Sequence, residues 1–347
     1  MEFFLPLIFY LLIFLVFYKY KHKVKRYGFI FLLELSKGEF IDKFVQNHKK
    51  FLKYLSYAVN IIGFLGMLFS VFYVIKGIVD YIFYKNTVFK ILPVIPGIRI
   101  GGYYFPFIET VVAIFIAAFV HEIFHAIFIR YYNIRLKGLG IALIGPFLAA
   151  YTEPDENQLK NSDKKIIRTI AFAGPFGNIL LSLLIFPLFF LPVNFIKFEG
   201  LKIINVTKGS PAEILPINAT IIGINNYTIK TIQDFKEIFY RFKPGEKITI
   251  ITDKGNFTVI LGNKSGKPWL GVLLEQKYEI TNYFLYYLYR ILRMIFVISL
   301  GIGIANLLPI FILDGGIVLS TLVNKRLYKI LSTIVLLLVI INLILSL

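Results

Sequence analysis

Apolar residues run through this chain in long unbroken stretches, and the charges gather in clusters between them. Residues 3–18 are almost wholly apolar and are followed by Lys19, Lys21, Lys23, Lys25 and Arg26. A secretory leader carries its basic residues before the apolar run, so the order here predicts an uncleaved first span whose basic end is cytoplasmic. Further runs at 56–77, 107–130, 169–192, 283–312 and 330–347 predict about six spans in all. The lysines and arginines that follow residues 18, 129 and 324 place those ends inside and both termini outside. Between the first two spans, residues 27–55 alternate Phe29–Leu35 with Lys37, Lys43, Lys49, Lys50 and Lys53, and predict an amphipathic segment on the cytoplasmic face. Residues 78–106 contain Pro93, Pro96, Gly97, Gly101, Gly102 and Pro106, and predict a loop or re-entrant piece on the outer side.

Two stretches break this rhythm. Gly138–Phe147 is apolar, too short to span and interrupted by glycine. Non-helical backbone at membrane depth must be covered by protein or line a cavity, so 138–152 reads as a small β-hairpin or a re-entrant loop. Residues 199–276 turn polar, with β-branched alternation at Lys247–Thr252 and Phe257–Ile260, a hairpin connector at Asp253–Asn256 and helical spacing over Thr231–Phe242. They predict a small water-soluble module between two spans, outside the cytoplasm by the same charge rule.

Composition sharpens the class. Of 347 residues, 57% are hydrophobic, more than a soluble domain needs, so the chain is a polytopic membrane protein. The net charge of +18 is explained by positive-inside loops against anionic lipid, the bilayer being the partner; no nucleic-acid module accompanies it. Cysteine is absent, which leaves His, Asp and Glu as the metal ligands available.

The chain has four histidines, and two of them, His121 and His125, stand four residues apart at the end of the third apolar run. On a helix they share a face and can hold one Zn²⁺, with Glu122 placed as general base for a water. Ionisable residues inside an apolar span are costly and usually functional. A catalytic zinc takes a third protein ligand and keeps one position open. Asp314, an acid between Leu313 and Gly315-Gly316, is the candidate. Asn178 is an amide in an apolar span: either an interhelical hydrogen bond or a group aimed at substrate backbone or a developing oxyanion. Arg290 and Arg293 in the fifth span either snorkel to the headgroups or face a cavity.

Three separated motifs, His121–His125, Ala173–Asn178 and Asn306–Gly315, stand in the order found in the site-2 proteases, and over residues 105–325 the chain resembles that family of membrane-embedded zinc metalloproteases. The resemblance implies His121, His125 and Asp314 as ligands of one zinc ion and Glu122 as the catalytic base. It implies a role for Asn178 and Asn306 in handling substrate backbone. It also implies that the 138–152 element, with Gly140 and Ile141, holds an extended substrate by strand addition. The soluble insert resembles a PDZ domain through Val206–Glu213 and Ile221–Asn226. It departs from the pattern at Ile214–Asn218, so a steric filter stands beside peptide binding as its role.

The expected architecture is therefore an α-helical polytopic membrane protein of about six transmembrane helices with an inserted small α+β PDZ-like domain. Residues 1–104 hold N-terminal spans and loops, 105–198 the first half of the protease core, 199–276 the insert, and 277–347 the second half and last span. The expected function is intramembrane zinc-dependent proteolysis of single-span membrane proteins, with the active site near the cytoplasmic side. The other class is a non-catalytic membrane scaffold or transporter with a structural metal site. Internal repeats, which a transporter would show, are not evident, and a scaffold has no use for a base beside two ligands.

Overall fold

The computed structural model describes residues 4–85, 90–145, 147–190 and 195–346. The chain divides into two compact units, one of residues 1–191 with 290–347 and one of residues 192–289. Pro146 and the predicted span ends at 3, 191–192 and 347 lie outside the described residues.

The larger unit begins with α1 (Leu5–Lys19), β1 (Val24–Tyr27), β2 (Ile30–Ser36), α2 (Glu39–Asn47) and α3 (Lys49–Tyr84). After a two-stranded ribbon, β3 (Arg99–Ile100) with β4 (Tyr103–Tyr104), come α4 (Phe107–Tyr131), β5 (Leu136–Ile144), β6 (Phe147–Pro154), α5 (Glu156–Lys160) and α6 (Lys164–Ile185). Among the described residues five helices are long and apolar enough to cross a membrane: Lys49–Tyr84, Phe107–Tyr131, Lys164–Phe190, Tyr283–Asn306 and Lys325–Ser346. The predicted first span is shorter. α1 has 15 residues, about 22 Å of helix against a hydrocarbon core of about 30 Å.

Residues 27–55 do not form the single amphipathic segment expected. Gly28 turns the chain at φ +61°, and β1 and β2 pair as a hairpin from Val24↔Leu33 to Tyr27↔Ile30. The amphipathic helix is confined to α2, which buries Ile41 and Val45. β2 then pairs with β5, and β5 with β6, giving an antiparallel sheet in the order β1-β2-β5-β6. The hairpin expected at 138–152 is thus one half of a four-stranded sheet, with β5 inside and β6 at the end. At its polar end Lys25 Nζ lies 3.3 Å from Glu34 and 3.4 Å from Glu153. The side chains of Glu34, Tyr151 and Glu153 converge over Gly138, where a Cβ would touch all three.

α6 is the centre of the unit. Of its apolar window 67% is buried, against 22–33% for the other four helices. Phe172 of α6 is fully buried against α3, where Gly63 has no room for a Cβ beside the ring. Val59, Phe128, Ile170, Ala173, Phe176, Leu307 and Val318 belong to the same core.

The second unit is built on β7 (Ile196–Val206), β8 (Thr220–Ile224), β9 (Tyr227–Thr228), α7 (Ile232–Phe239), β10 (Lys247–Thr252), β11 (Gly255–Ile260), β12 (Gly262–Lys264), β13 (Lys267–Trp269) and β14 (Val272–Ile280). The main sheet runs β11-β10-β8-β7-β14 with β9 beside β8, and β12 and β13 form a separate ribbon. Alternation in the strands puts Leu201, Ile203, Ile221, Ile224, Ile248 and Ile250 in a core closed by Phe235 and Phe239 of α7. α7 starts at a capping box, with Asp234 N donating to Thr231 Oγ1 and Thr231 N donating to Asp234. The unit is wider than 199–276, because β7 and β14 pair along their whole length, out to Ile196↔Ile280.

The chain closes with α8 (Tyr283–Asn306), α9 (Asp314–Leu322) and α10 (Lys325–Ser346). Near the start of the returning segment, the partly exposed Arg290 of α8 forms an ion pair with the buried Glu109 of α4 at 2.6 Å.

Candidate metal centre

The helical run that holds the two histidines is apolar on every side except at this step. Val111–Val120 leads into His121-Glu122-Ile123-Phe124-His125, and all of it lies within α4. One turn apart, the two rings stand edge to face with centroids 4.7 Å apart and their Nε2 atoms 3.1 Å apart. His125 Nδ1 lies 2.7 Å from the carbonyl of Ile170, which can only accept. Nδ1 therefore carries the proton, and the Nε2 lone pair is left free for the site.

Asp314 arrives from far along the chain. Pro309 follows the end of α8 and cannot continue the helix. The segment then folds tightly and restarts as α9 with Asp314 in its first position. Gly315 and Gly316 make this possible. A Cβ on Gly315 would collide with the carbonyls of Leu307 and Leu308, and one on Gly316 with that of Ile310. Asp314 Oδ2 is thereby held 3.1 Å from His121 Nε2 and Oδ1 3.5 Å from His125 Nε2. Only 9–13% of these three side chains is exposed.

The three donors fit a metal. One ligand atom from each of His121, His125 and Asp314 lies within 4.8 Å of the other two. Asp314 Oδ2 is buried and its one close polar neighbour among the described residues is His121 Nε2 at 3.1 Å, without good hydrogen-bond geometry, an environment that a cation would complete. The space between them is kept by α6. A Cβ at Gly174 would collide with Nε2 of both histidines, so glycine leaves a void where the donors converge. Gly177, one turn on, leaves room for the Phe124 ring.

Asn178 is fully buried beside the pair, its side-chain amide 3.3 Å from His121 Nδ1. Glu122 is half-buried on the same helix, and its backbone carbonyl accepts a hydrogen bond from Thr152 Oγ1 of β6 at 3.0 Å. That contact lays β6 alongside the centre. β6 is the edge strand of its sheet, with no strand on its far side among the described residues.

His121, Glu122, His125, Asp314 and Asn178 are therefore brought to one place. Asn306 is the last residue of α8, and its amide donates to the Ile302 carbonyl of its own helix. Gly140 and Ile141 do not offer a docking edge. Gly140 lies between Glu34 and Tyr151, and Ile141 between Leu33 and Ala150, so the backbone of β5 is paired on both sides. Gly140 is glycine because a Cβ there would collide with the Leu33 carbonyl. The edge lies one strand further, on β6. Gly174 and the Ile170 carbonyl are parts of the site that spacing alone does not reveal; a Gly-Pro step inside a buried helix is the visible sign of the first.

Known proteins bear on this arrangement. A PDZ domain of an SdrC-like protein from Listeria monocytogenes is similar at 23% identity and a TM-score of 0.21, covering 24% of this chain and 93% of its own. The uncharacterized protein MJ0971 of Methanocaldococcus jannaschii is 34% identical over 224 residues, 63% of this chain. The chain spans 58% of that relative's length. The model of peptidase family M50 matches residues 109–347, which takes in the paired histidines, the α6 glycines and Asp314. With His121, Glu122, His125 and Asp314 all inside a match that spans most of the chain, the chain belongs to peptidase family M50.

Proposed function

We propose that this protein is an intramembrane zinc endopeptidase that cuts transmembrane segments of membrane proteins. The observation that carries the reading is the buried Asp314 carboxylate facing the Nε2 atoms of His121 and His125 at 3.1 and 3.5 Å, beside a space that only a glycine at 174 leaves open. His121, His125 and Asp314 would hold the ion. When bound, zinc supplies a Lewis acid that polarises the scissile carbonyl and acidifies the attacking water. Glu122 takes the proton from that water and delivers it to the leaving amine. The apolar wall from α4 and α6 keeps bulk water from these groups.

A substrate helix hides its peptide bonds, so it must unwind to react. The open edge of β6 provides backbone partners for the unwound segment, and strand addition there sets an extended chain beside Glu122. The substrate class is single-span membrane proteins already shortened on their outer side. The positive-inside distribution supports a site near the cytoplasmic face and a PDZ-like second unit on the opposite side.

Glu122→Gln tests the proposal. It keeps size and neighbours and removes the base. Turnover of a single-span substrate in proteoliposomes falls by at least a hundredfold, in line with the loss of a general base, while zinc content stays at the wild-type level. Wild-type turnover in this variant overturns the protease reading.

A further inference from the structure

Asn178 is placed for a second role, distinct from the contact with substrate backbone that resemblance suggests. It rests on the zinc reading above and extends it to the atoms behind the ligands. Once Nε2 of a histidine binds a metal, the ring's remaining proton sits on Nδ1 and needs an acceptor. His125 has one in the Ile170 carbonyl at 2.7 Å. His121 Nδ1 faces the side-chain amide of Asn178 at 3.3 Å.

In the orientation observed, Nδ2 of Asn178 points at His121 Nδ1 and Oδ1 is buried with no partner. An amide N–H donating to Nδ1 places the ring's proton on Nε2, the atom a metal needs free. A half-turn of the amide removes the conflict. Oδ1 then accepts from Nδ1–H, and Nε2 is left to the ion.

The rest of Asn178 is built to hold that amide in place. Its backbone carbonyl accepts from Ser182 Oγ at 3.0 Å and from Ser299 Oγ of α8 at 3.0 Å. Gly303 of α8 brings that helix so close that a Cβ there would lie 3.2 Å from Asn178 Cβ. The residue is 0% exposed. We propose that Asn178 is the positioning residue of His121, its Oδ1 accepting the Nδ1 proton and holding the imidazole in the tautomer that offers Nε2 to zinc.

The test uses the full-length protein in nanodiscs. Zinc affinity is read by competition with a chromogenic chelator, and ligand geometry from the d–d spectrum of the Co²⁺-loaded protein. Asn178→Leu keeps volume and removes the acceptor. It weakens zinc about 10- to 100-fold, the range seen when an outer-shell partner is lost, and it alters the cobalt spectrum. Asn178→Asp restores an acceptor and with it wild-type affinity. If Asn178→Leu does not fold, ¹⁵N-histidine NMR of the zinc-loaded Asp variant decides: the His121 Nδ1–H resonance moves and that of His125 does not. Wild-type affinity and spectrum in Asn178→Leu, or an unmoved His121 resonance in Asn178→Asp, overturns this proposal alone. A wild-type protein that takes up no metal overturns the zinc reading and this one with it.

Discussion

Gly174→Ala adds one methyl group at the point where the metal donors converge. In a helix this exchange normally stabilises by about 0.5–1 kcal/mol, because glycine loses more backbone freedom on folding. Here the added Cβ collides with Nε2 of both His121 and His125. The rings have little room to withdraw. His125 is pinned through Nδ1 to Ile170, and His121 faces Asn178, which packs against α8 at Gly303. Overpacking of a close-packed interior costs about 1–3 kcal/mol, so the steric cost exceeds the propensity gain. If that cost falls on the donor geometry, zinc affinity drops about 5- to 150-fold, since about 1.4 kcal/mol is a factor of ten. The assay is chelator competition on the purified full-length protein, with thermal melting of the apo form alongside. Gly301→Ala is the control, because a Cβ at Gly301 of α8 meets nothing within 4 Å; it keeps wild-type affinity. A Gly174→Ala protein that binds zinc as tightly as the wild type and cleaves substrate normally refutes the reasoning, for it would mean that the donors do not converge on the space this glycine keeps.

Two further outcomes follow from the sheet and from the second unit. Counting from the Ile144↔Phe147 pair that ends the ladder, its alternation points the Ala150 N–H away from β5. Ala150→Pro therefore leaves the β5–β6 pairing in place and removes one edge donor; cleavage of a full-length membrane substrate falls while zinc content holds, and unchanged cleavage counts against strand addition on β6. In the second unit the Asp234 carboxylate is held below its ordinary pKa mainly by the Thr231 N–H, and Asp253 mainly by the Thr220 N–H. A pKa lowered in the folded state gives stability that is complete above the unfolded value of about 3.9 and is lost as pH falls through the lower folded value. Hydrogen exchange at the first turn of α7 thus stays slow down to about pH 4 and quickens below it; exchange that quickens already between pH 6 and 5 contradicts this.

The parts of the fold legible in sequence are those set by neighbours. His121 and His125 lie on one helix, so their shared face follows from spacing alone. The hairpin of Lys247–Thr252 and Gly255–Ile260 follows from alternation around a short connector. Asp314 was reachable through the run of motifs, because nothing local links it to α4. The N-terminal strands were not legible. Ile30–Ser36 and Leu136–Ile144 are partners from distant parts of the chain, and neither carries a mark of the other. The lysines around β2 and α2 give the same surface pattern whether the segment lies flat or folds into a sheet. The expectation of strand addition at Gly140 and Ile141 meets the same limit. With β2 unseen, β5 looks like an edge, whereas the structure pairs it on both sides and, among the described residues, leaves β6 at the edge.

Charge explains why so polar a group of residues can sit among apolar helices. A buried carboxylate set 3.1 and 3.5 Å from two imidazole Nε2 atoms is a place where a cation is stabilised. A dication among His121, His125 and Asp314 leaves one positive charge, and Glu122 on the same helix cancels it. The site is thus neutral when loaded and resting. A proton that Glu122 would take from a bound water stays within the site, so the net charge is unchanged while Glu122 acts as base. On this view the acid beside the histidines has two roles from one position, balancing the ion inside a low-dielectric wall and moving the proton. Asp314→Asn removes the other half of that balance and lowers zinc occupancy even where Glu122 and both histidines are intact.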